Sequence, residues 1–171
     1  LLQDLVQVEG IEWIRLMYFY PMYVSDELIQ TIAESEKIVP YLDMPLQHIN
    51  DGMLRRMARR VTRSETEKLL QKLRSAMPDL VMRTTFITGF PGETNVQFNE
   101  LLDFAREQQF ERLGVFTYSV EPDTPAASLP DHLPEEVKEE RRSRLMKVQQ
   151  ENAFRWNAKQ VGRQVEVLID S

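Results

Sequence analysis

The chain has 171 residues, 42% hydrophobic and 28% charged, the balance of a soluble globular domain rather than a disordered segment. It contains no cysteine, which excludes a disulfide framework, a thiolate nucleophile, a zinc finger and any cysteine-ligated iron–sulfur cluster held by this chain alone. A net charge of −6 gives no general attraction to nucleic acid, and the longest apolar run, residues 16–24, is well short of the roughly 18 needed to span a bilayer.

In chain order, Leu1, Leu2, Leu5 and Val8 fall near helical spacing until Gly10, like the back half of a helix that starts upstream. Residues 12–18 read as a strand, and Ser25 caps a helix whose first turn holds Asp26 and Glu27. A second strand is predicted over 40–46, followed by a helix capped by Asn50 or Asp51. Thr62 with Glu65, and Thr94 with Gln97, have the spacing of capping boxes. Leu69, Leu73, Ala76 and Met77 make one apolar helical stripe, and Phe98, Leu101, Leu102 and Ala105 another. Strands are predicted over 80–88 and 112–119. Because the four strand candidates start roughly 30 to 40 residues apart with helices between them, they fit βα units and a parallel sheet, not hairpins.

Residues 120–134 hold Pro122, Pro125, Pro130 and Pro134 and read as a surface loop. Pro134 suits a first helical position, and Glu135 and Glu136 complement the dipole of a long polar helix, a connector or flank, that Gly162 ends. Residues 164–169 then alternate like a strand, and a lone strand needs partners. Both ends read as those of a piece of a longer protein.

Ligands of a parallel βα sheet bind at the C-terminal ends of its strands, where loops and helix N-termini converge. Those ends carry Tyr18 to Pro21, then Gln47 and His48 with Asp43 on the same face as Gln47, then Thr88-Gly89, then Tyr118-Ser119. The turn Gly89-Phe90-Pro91-Gly92-Glu93-Thr94 either offers free amides to an anion or is simply a tight turn. Arg83, inside a strand, is either paired with Asp43 or free to bind an anion. His48 is a catalyst or a hydrogen-bonded structural group, and His132 is solvated. Between Asp51 and Ser75, eight basic residues face three acidic ones, a local charge of +5, without an aromatic residue for base stacking. That stretch is a solvated helix face or a docking surface for an RNA-rich partner.

Taken together, these motifs resemble one family. Trp13-Ile14-Arg15-Leu16-Met17-Tyr18, Tyr20-Pro21, Tyr41-Leu42-Asp43-Met44-Pro45-Leu46-Gln47-His48, the run from Arg83 to Thr94, and Arg112-Leu113-Gly114-Val115-Phe116-Thr117-Tyr118-Ser119 are similar to the radical S-adenosylmethionine methylthiotransferases. The Tyr-Pro after the first strand, the Leu-Asp-Met-Pro-Leu-Gln-His run and Arg-Thr-Thr-Phe are closer to the RimO branch, which thiomethylates an aspartate of small-subunit ribosomal protein twelve. The other branch acts on an isopentenyl-adenosine of tRNA.

The resemblance implies an α/β fold: the C-terminal half of a (βα) radical barrel over residues 1–133, a connecting helix over 134–162 and the first strand of a small β domain over 163–171. It implies S-adenosylmethionine and two [4Fe–4S] clusters in the whole protein, with neither cluster ligated by this chain, which lacks the CxxxCxxC motif and is expected to be inactive alone. Gln47, Arg83, Thr85, Gly89 and Phe116 are then expected at the cofactor, and His48, Tyr118 and Ser119 at the substrate. No catalytic or metal-binding residue is assigned to the chain. The implied partners are the ribosomal protein or ribosome and the missing N-terminal half of the same protein, with no membrane and a cytoplasmic location. Two other readings stand beside this one: a ribosome-docking module without catalysis, and an ordinary barrel enzyme using His48 and Asp43 as acid and base.

Overall fold

Four parallel strands in sequence order make a single sheet in the computed structural model, which describes residues 1–169: β1 (Ile14–Leu16), β2 (Ile38–Asp43), β3 (Val81–Thr88) and β4 (Arg112–Thr117). Helices follow each strand: α2 (Asp26–Glu34) after β1, α3 (Asp51–Arg56) and α4 (Arg63–Ala76) after β2, α5 (Asn95–Gln108) after β3, and α6 (Glu135–Ala158) after β4. A four-residue helix, α1 (Leu2–Leu5), precedes β1. The α/β class, the parallel order and the open, partial barrel all match the sequence reading.

One face of the sheet carries the core. On β3, Met82, Thr84, Phe86 and Thr88 are buried while Val81, Arg83, Thr85 and Ile87 are not, the period-two alternation of a strand covered on one side. Phe86 is fully buried and meets Phe104 of α5 and Phe110 edge-on, with ring centroids 6.3 and 6.1 Å apart. The other face is open, and it holds the candidate site.

The strands are shorter than their apolar patterns. β1 stops at Leu16, because Tyr18 takes a left-handed backbone (φ 61°) that no strand accommodates. β2 starts two residues earlier than predicted and leaves the ladder after Asp43. Thr84 bridges that gap: its hydroxyl donates to the Met44 carbonyl (3.0 Å) and accepts from the Leu46 amide (3.3 Å). Pairing resumes at Gln47, whose φ is 69°, through a bridge to Phe86. The period-two rule therefore does not carry from Asp43 to Gln47. β4 ends at Thr117 rather than 119, although the Tyr118 amide still donates to the Thr88 carbonyl.

Helix starts agree with the sequence because their causes are local. Ser25 caps α2, Asn50 rather than Asp51 caps α3, and both capping boxes are complete. On α4 the buried side chains are Thr66, Leu70 and Leu73, with Met77 just beyond, so the predicted Ala76 lies outside the stripe, exposed.

The largest difference is α6. Pro134 is its N-cap rather than its first residue, and the helix ends at Ala158, ahead of Gly162. Of the two readings, connector or flank, its packing is that of a flank: Lys138, Arg141, Leu145, Val148, Gln149 and Asn152 form one buried stripe at helical spacing against β4 and α5. The side-chain amides of Gln149 and Asn152 donate to the carbonyls of Glu111 and Ala105 at 3.2 and 3.3 Å, although Gln149 Oε1 is left buried without a donor. Residues 163–169 pair with neither sheet edge and form no strand, and residues 170 and 171 of the expected strand lie outside the described residues. Among the described residues, no helix is long and apolar enough to cross a membrane.

Truncating Phe86 to alanine should cost roughly 3–5 kcal/mol, read as a shift in the denaturant midpoint at unchanged slope. The N-terminus of α4 carries a pH signature. Hydrogen bonds from the Thr62 hydroxyl and amide (both 2.8 Å) hold the Glu65 carboxyl below its ordinary pKa. With the folded value the lower one, this contribution is full above the unfolded pKa and is lost as pH falls through the folded one. Glu65→Gln keeps an acceptor without the charge, so it should flatten the acid limb of stability while leaving α4 capped, measured by unfolding at stepped pH.

Candidate functional site

The register of the sheet decides which predicted residues share the open face. Asp43 sits opposite Arg83, Thr85 opposite Gly114 and Ile87 opposite Phe116. The Asp43 side chain is 3% exposed and that of Arg83 45%, with Nε 3.9 Å from Oδ1, too far for a hydrogen bond. Asp43 Oδ1 is buried without any hydrogen-bond partner, and so is Gln47 Oε1. Burying an acceptor without a donor costs about 1–3 kcal/mol, more for a charged group. Phe116, 64% exposed, offers an uncovered ring two residues beyond Gly114, which has no side chain to cover Thr85. This face therefore combines an unpartnered acceptor, Asp43 Oδ1, with a half-exposed guanidinium and a flat apolar surface. It fits a ligand with hydroxyl or ammonium donors, a carboxylate and a planar ring.

The remaining predicted residues lie elsewhere. His48 is 1% exposed and belongs to a buried polar network. Its Nδ1 accepts from the amides of Ile49 (2.9 Å) and Asn50 (3.0 Å), which assigns the proton to Nε2, the atom 3.1 Å from Glu93 Oε1. Glu93 Oε2 accepts from the Gly89 amide (2.7 Å) and from Arg141 Nη1 (2.5 Å). The Gly92 amide is bonded to the Asp131 carbonyl and the Glu93 amide to that of Phe90. The glycine turn thus spends these amides on the protein itself, the tight-turn alternative. Tyr118 packs on Phe90 (5.0 Å) beside Met53, its hydroxyl buried without a partner, and Ser119 is exposed beyond the end of β4. His48 and Asp43, the acid–base pair of the ordinary-enzyme reading, lie in different environments, one in the buried network and one at the open face.

The basic stretch is largely consumed by structure. Arg63, Lys72 and Arg74 pair with Glu67, Asp26 and Glu111. Arg59 donates to the Pro45 carbonyl (2.8 Å) and lies over the Tyr20 ring, and burial pushes its pKa down from the ordinary guanidinium value. Arg56 donates to the Pro130 carbonyl. Arg55 and Arg60 are the arginines of that stretch left exposed. His132 is exposed, as expected.

The family model of the radical SAM superfamily matches residues 1–105, through β3 and into α5. The chain belongs to the radical SAM superfamily. It is 51% identical over 170 residues to the ribosomal protein uS12 methylthiotransferase RimO of Syntrophotalea carbinolica, covering 99% of this chain and 37% of that protein. The proteins of the same name from Desulfitobacterium hafniense and Clostridioides difficile are 48% and 46% identical, again over 99% of this chain and 38% of each relative. The chain thus spans under two-fifths of the length of the curated relatives it matches. Among solved structures, coproporphyrinogen III oxidase (HemN) of Escherichia coli superposes with a TM-score of 0.61 at 18% identity, over 86% of this chain and 32% of that one. The radical S-adenosylmethionine methyltransferase TsrM of Kitasatospora setae gives 0.60 at 18% identity, over 74% and 26%. Both are likenesses of fold.

Two features of the site were missed in the sequence: the orphaned oxygen of Asp43 and the role of α6. The first needs the register between β2 and β3, and the second needs partners 20 to 48 residues away, so neither leaves a local signal. Replacing Glu93 by glutamine would leave Arg141 buried without a counter-charge, so Glu93→Gln should destabilise by roughly 3–5 kcal/mol in equilibrium unfolding.

Proposed function

We propose that this chain is the C-terminal part of the barrel of a methylthiotransferase that modifies ribosomal protein uS12, and that S-adenosylmethionine lies on its open face. The identity of 46–51% to RimO proteins along 99% of the chain carries the reading. In this reading residues 1–133 are barrel, 134–162 the helix leading on, and 163–171 the first strand of a β domain that the rest of the protein completes. The protein works in the cytoplasm with the ribosomal protein as partner.

The residues present fit that cofactor. Arg83 supplies a donor for the methionine carboxylate, the empty oxygens of Asp43 and Gln47 accept from the ammonium or the ribose hydroxyls, and Phe116 offers a face to adenine. Thr85 and Gly89 lie along the same strand and its end, and Ser119, exposed just past β4, borders the mouth where substrate enters, whereas His48 and Tyr118 are buried and do not reach it. In the family the bound cofactor supplies a carbon radical that removes a substrate hydrogen. This chain binds and orients it, and its own residues take no proton or electron in that step. The residues do not fit an iron–sulfur cluster, since the chain has no cysteine, so both clusters of the whole protein belong to other segments.

Calorimetric titration of the full-length protein with S-adenosylmethionine tests the cofactor face. Gln47→Ala and Arg83→Ala should each weaken binding about tenfold, the scale of one charged hydrogen bond. Affinities unchanged in both would remove the ligand from this face. Mass spectrometry of uS12 after reaction tests the substrate: a methylthio group on an aspartate supports the reading, whereas modified tRNA with unmodified uS12 would move the protein to the tRNA branch.

A further inference from the structure

The first turns of α6 close over the ends of the two strands that carry the site. Lys138 is 7% exposed, and its Nζ donates to the Tyr118 carbonyl (2.9 Å), just past β4, and to Glu135 Oε2 (3.0 Å). Its backbone carbonyl accepts from the Thr88 hydroxyl (3.3 Å) at the last residue of β3. Its stem lies on Gly89 so closely that a Cβ there would stand 2.3 Å from Lys138 Cγ. The glycine at that position, with φ 72°, is therefore required by the helix as well as by the turn.

Three residues on, and so on the same helix face, Arg141 is 4% exposed. It donates through Nη1 to the Glu93 carbonyl (3.0 Å) and carboxylate (2.5 Å) and through Nη2 to Asn95 Oδ1 (2.8 Å). The Arg141 guanidinium thus fixes the far end of the turn after β3 and the Lys138 ammonium the end of β4, while the Lys138 main-chain carbonyl and stem meet the start of that turn. Two buried cations are a costly way to seat a helix, and apolar side chains of similar volume would serve stability as well or better. What apolar contact lacks is direction, and these bonds fix where the strand ends lie.

We propose that Lys138 and Arg141 are positioning residues for the ligand on the open face, holding β3 and β4 in the register that presents Thr85, Ile87 and Phe116 to it. This rests on the reading that an S-adenosyl ligand occupies that face. The atoms held by Lys138 lie one to four residues beyond those side chains at the ends of the same strands, and those held by Arg141 lie in the turn that follows β3 and at the start of α5, so a tilt of α6 shifts the site without touching it.

The test uses the full-length protein with its clusters in place and S-adenosylhomocysteine as the probe, with affinity measured by equilibrium dialysis and melting temperature measured in parallel. Lys138→Met keeps the stem and removes the directed bond. Asn95→Ala releases one arm of Arg141 at an exposed position, leaving the buried pair with Glu93 intact. Both should weaken binding, Lys138→Met by about tenfold and Asn95→Ala by a few-fold, in protein that is folded at the assay temperature. Peptides spanning residues 85–95 should exchange amide hydrogens faster in both. Arg141→Lys, which reaches Glu93 but cannot also hold Asn95, should match Asn95→Ala. Lower melting temperatures with unchanged affinity would overturn the proposal and leave α6 a purely structural helix. Should Lys138→Met fail to fold, Asn95→Ala decides alone. Wild-type protein that binds no probe would overturn the reading of the face and the positioning with it.

Discussion

The Glu93 carboxylate is the point on which the C-terminal end of the sheet depends. It is fully removed from water, and a carboxylate in that position is tolerable only when several donors surround it. Those donors come from three places in the chain, the His48 ring after β2, the Gly89 amide after β3 and the guanidinium of Arg141 on α6, and Glu93 itself stands at the entry to α5. Satisfying one charge therefore ties the loops after β2 and β3 to α5 and α6. A two-point contact between apolar surfaces could slide by a fraction of an ångström at little cost. A carboxylate with three directed donors cannot, because any slide leaves a buried charge short of a bond.

The open face follows the opposite rule. There the sheet leaves Asp43 Oδ1 without a donor and keeps Arg83 just beyond bonding distance of it. A chain selected only for stability would close that gap by a short movement of a long side chain. Its persistence next to a network in which the Glu93, His48 and Arg141 bonds are all made separates two kinds of polar residue: those that hold the fold and those held ready for something else. Unsatisfied buried polar atoms are uncommon, and Asp43 Oδ1 at the end of β2 is one of them.

How much of this was legible in the sequence depended on the distance between cause and effect. The capping boxes at Thr62 and Thr94 were legible because all their atoms lie within four residues. β3 was legible because its alternation is unbroken, and the parallel order followed from the strand spacing. β1 and the end of β2 were overrun, since Tyr18 and Gln47 are not residues that announce a left-handed backbone. α6 was misread for a physical reason: its buried stripe is made largely of Lys138, Arg141, Gln149 and Asn152, which any hydropathy pattern assigns to solvent. Their partners, Tyr118, Glu93, Glu111 and Ala105, lie 20 to 48 residues away, and only the fold brings them near. His48 and the Gly89 turn were placed at the right end of the sheet, but as ligand contacts or as structure with no means of choosing, because the choice rests on which donors Glu93 has already taken.

That α6 is polar where it is buried also explains its dual position in the chain. At its start it touches the strand ends through charges, and from Leu145 to Asn152 it packs on β4 and α5. Near its far end the Arg112 guanidinium lies over the Trp156 ring, at the opposite end of β4 from Tyr118. One helix therefore grips β4 at both ends, by a directed bond at the Tyr118 end and by a stacked cation at the other. The strand that carries Phe116 lies between those two grips, so its position is set by the helix as a whole and not by the sheet alone.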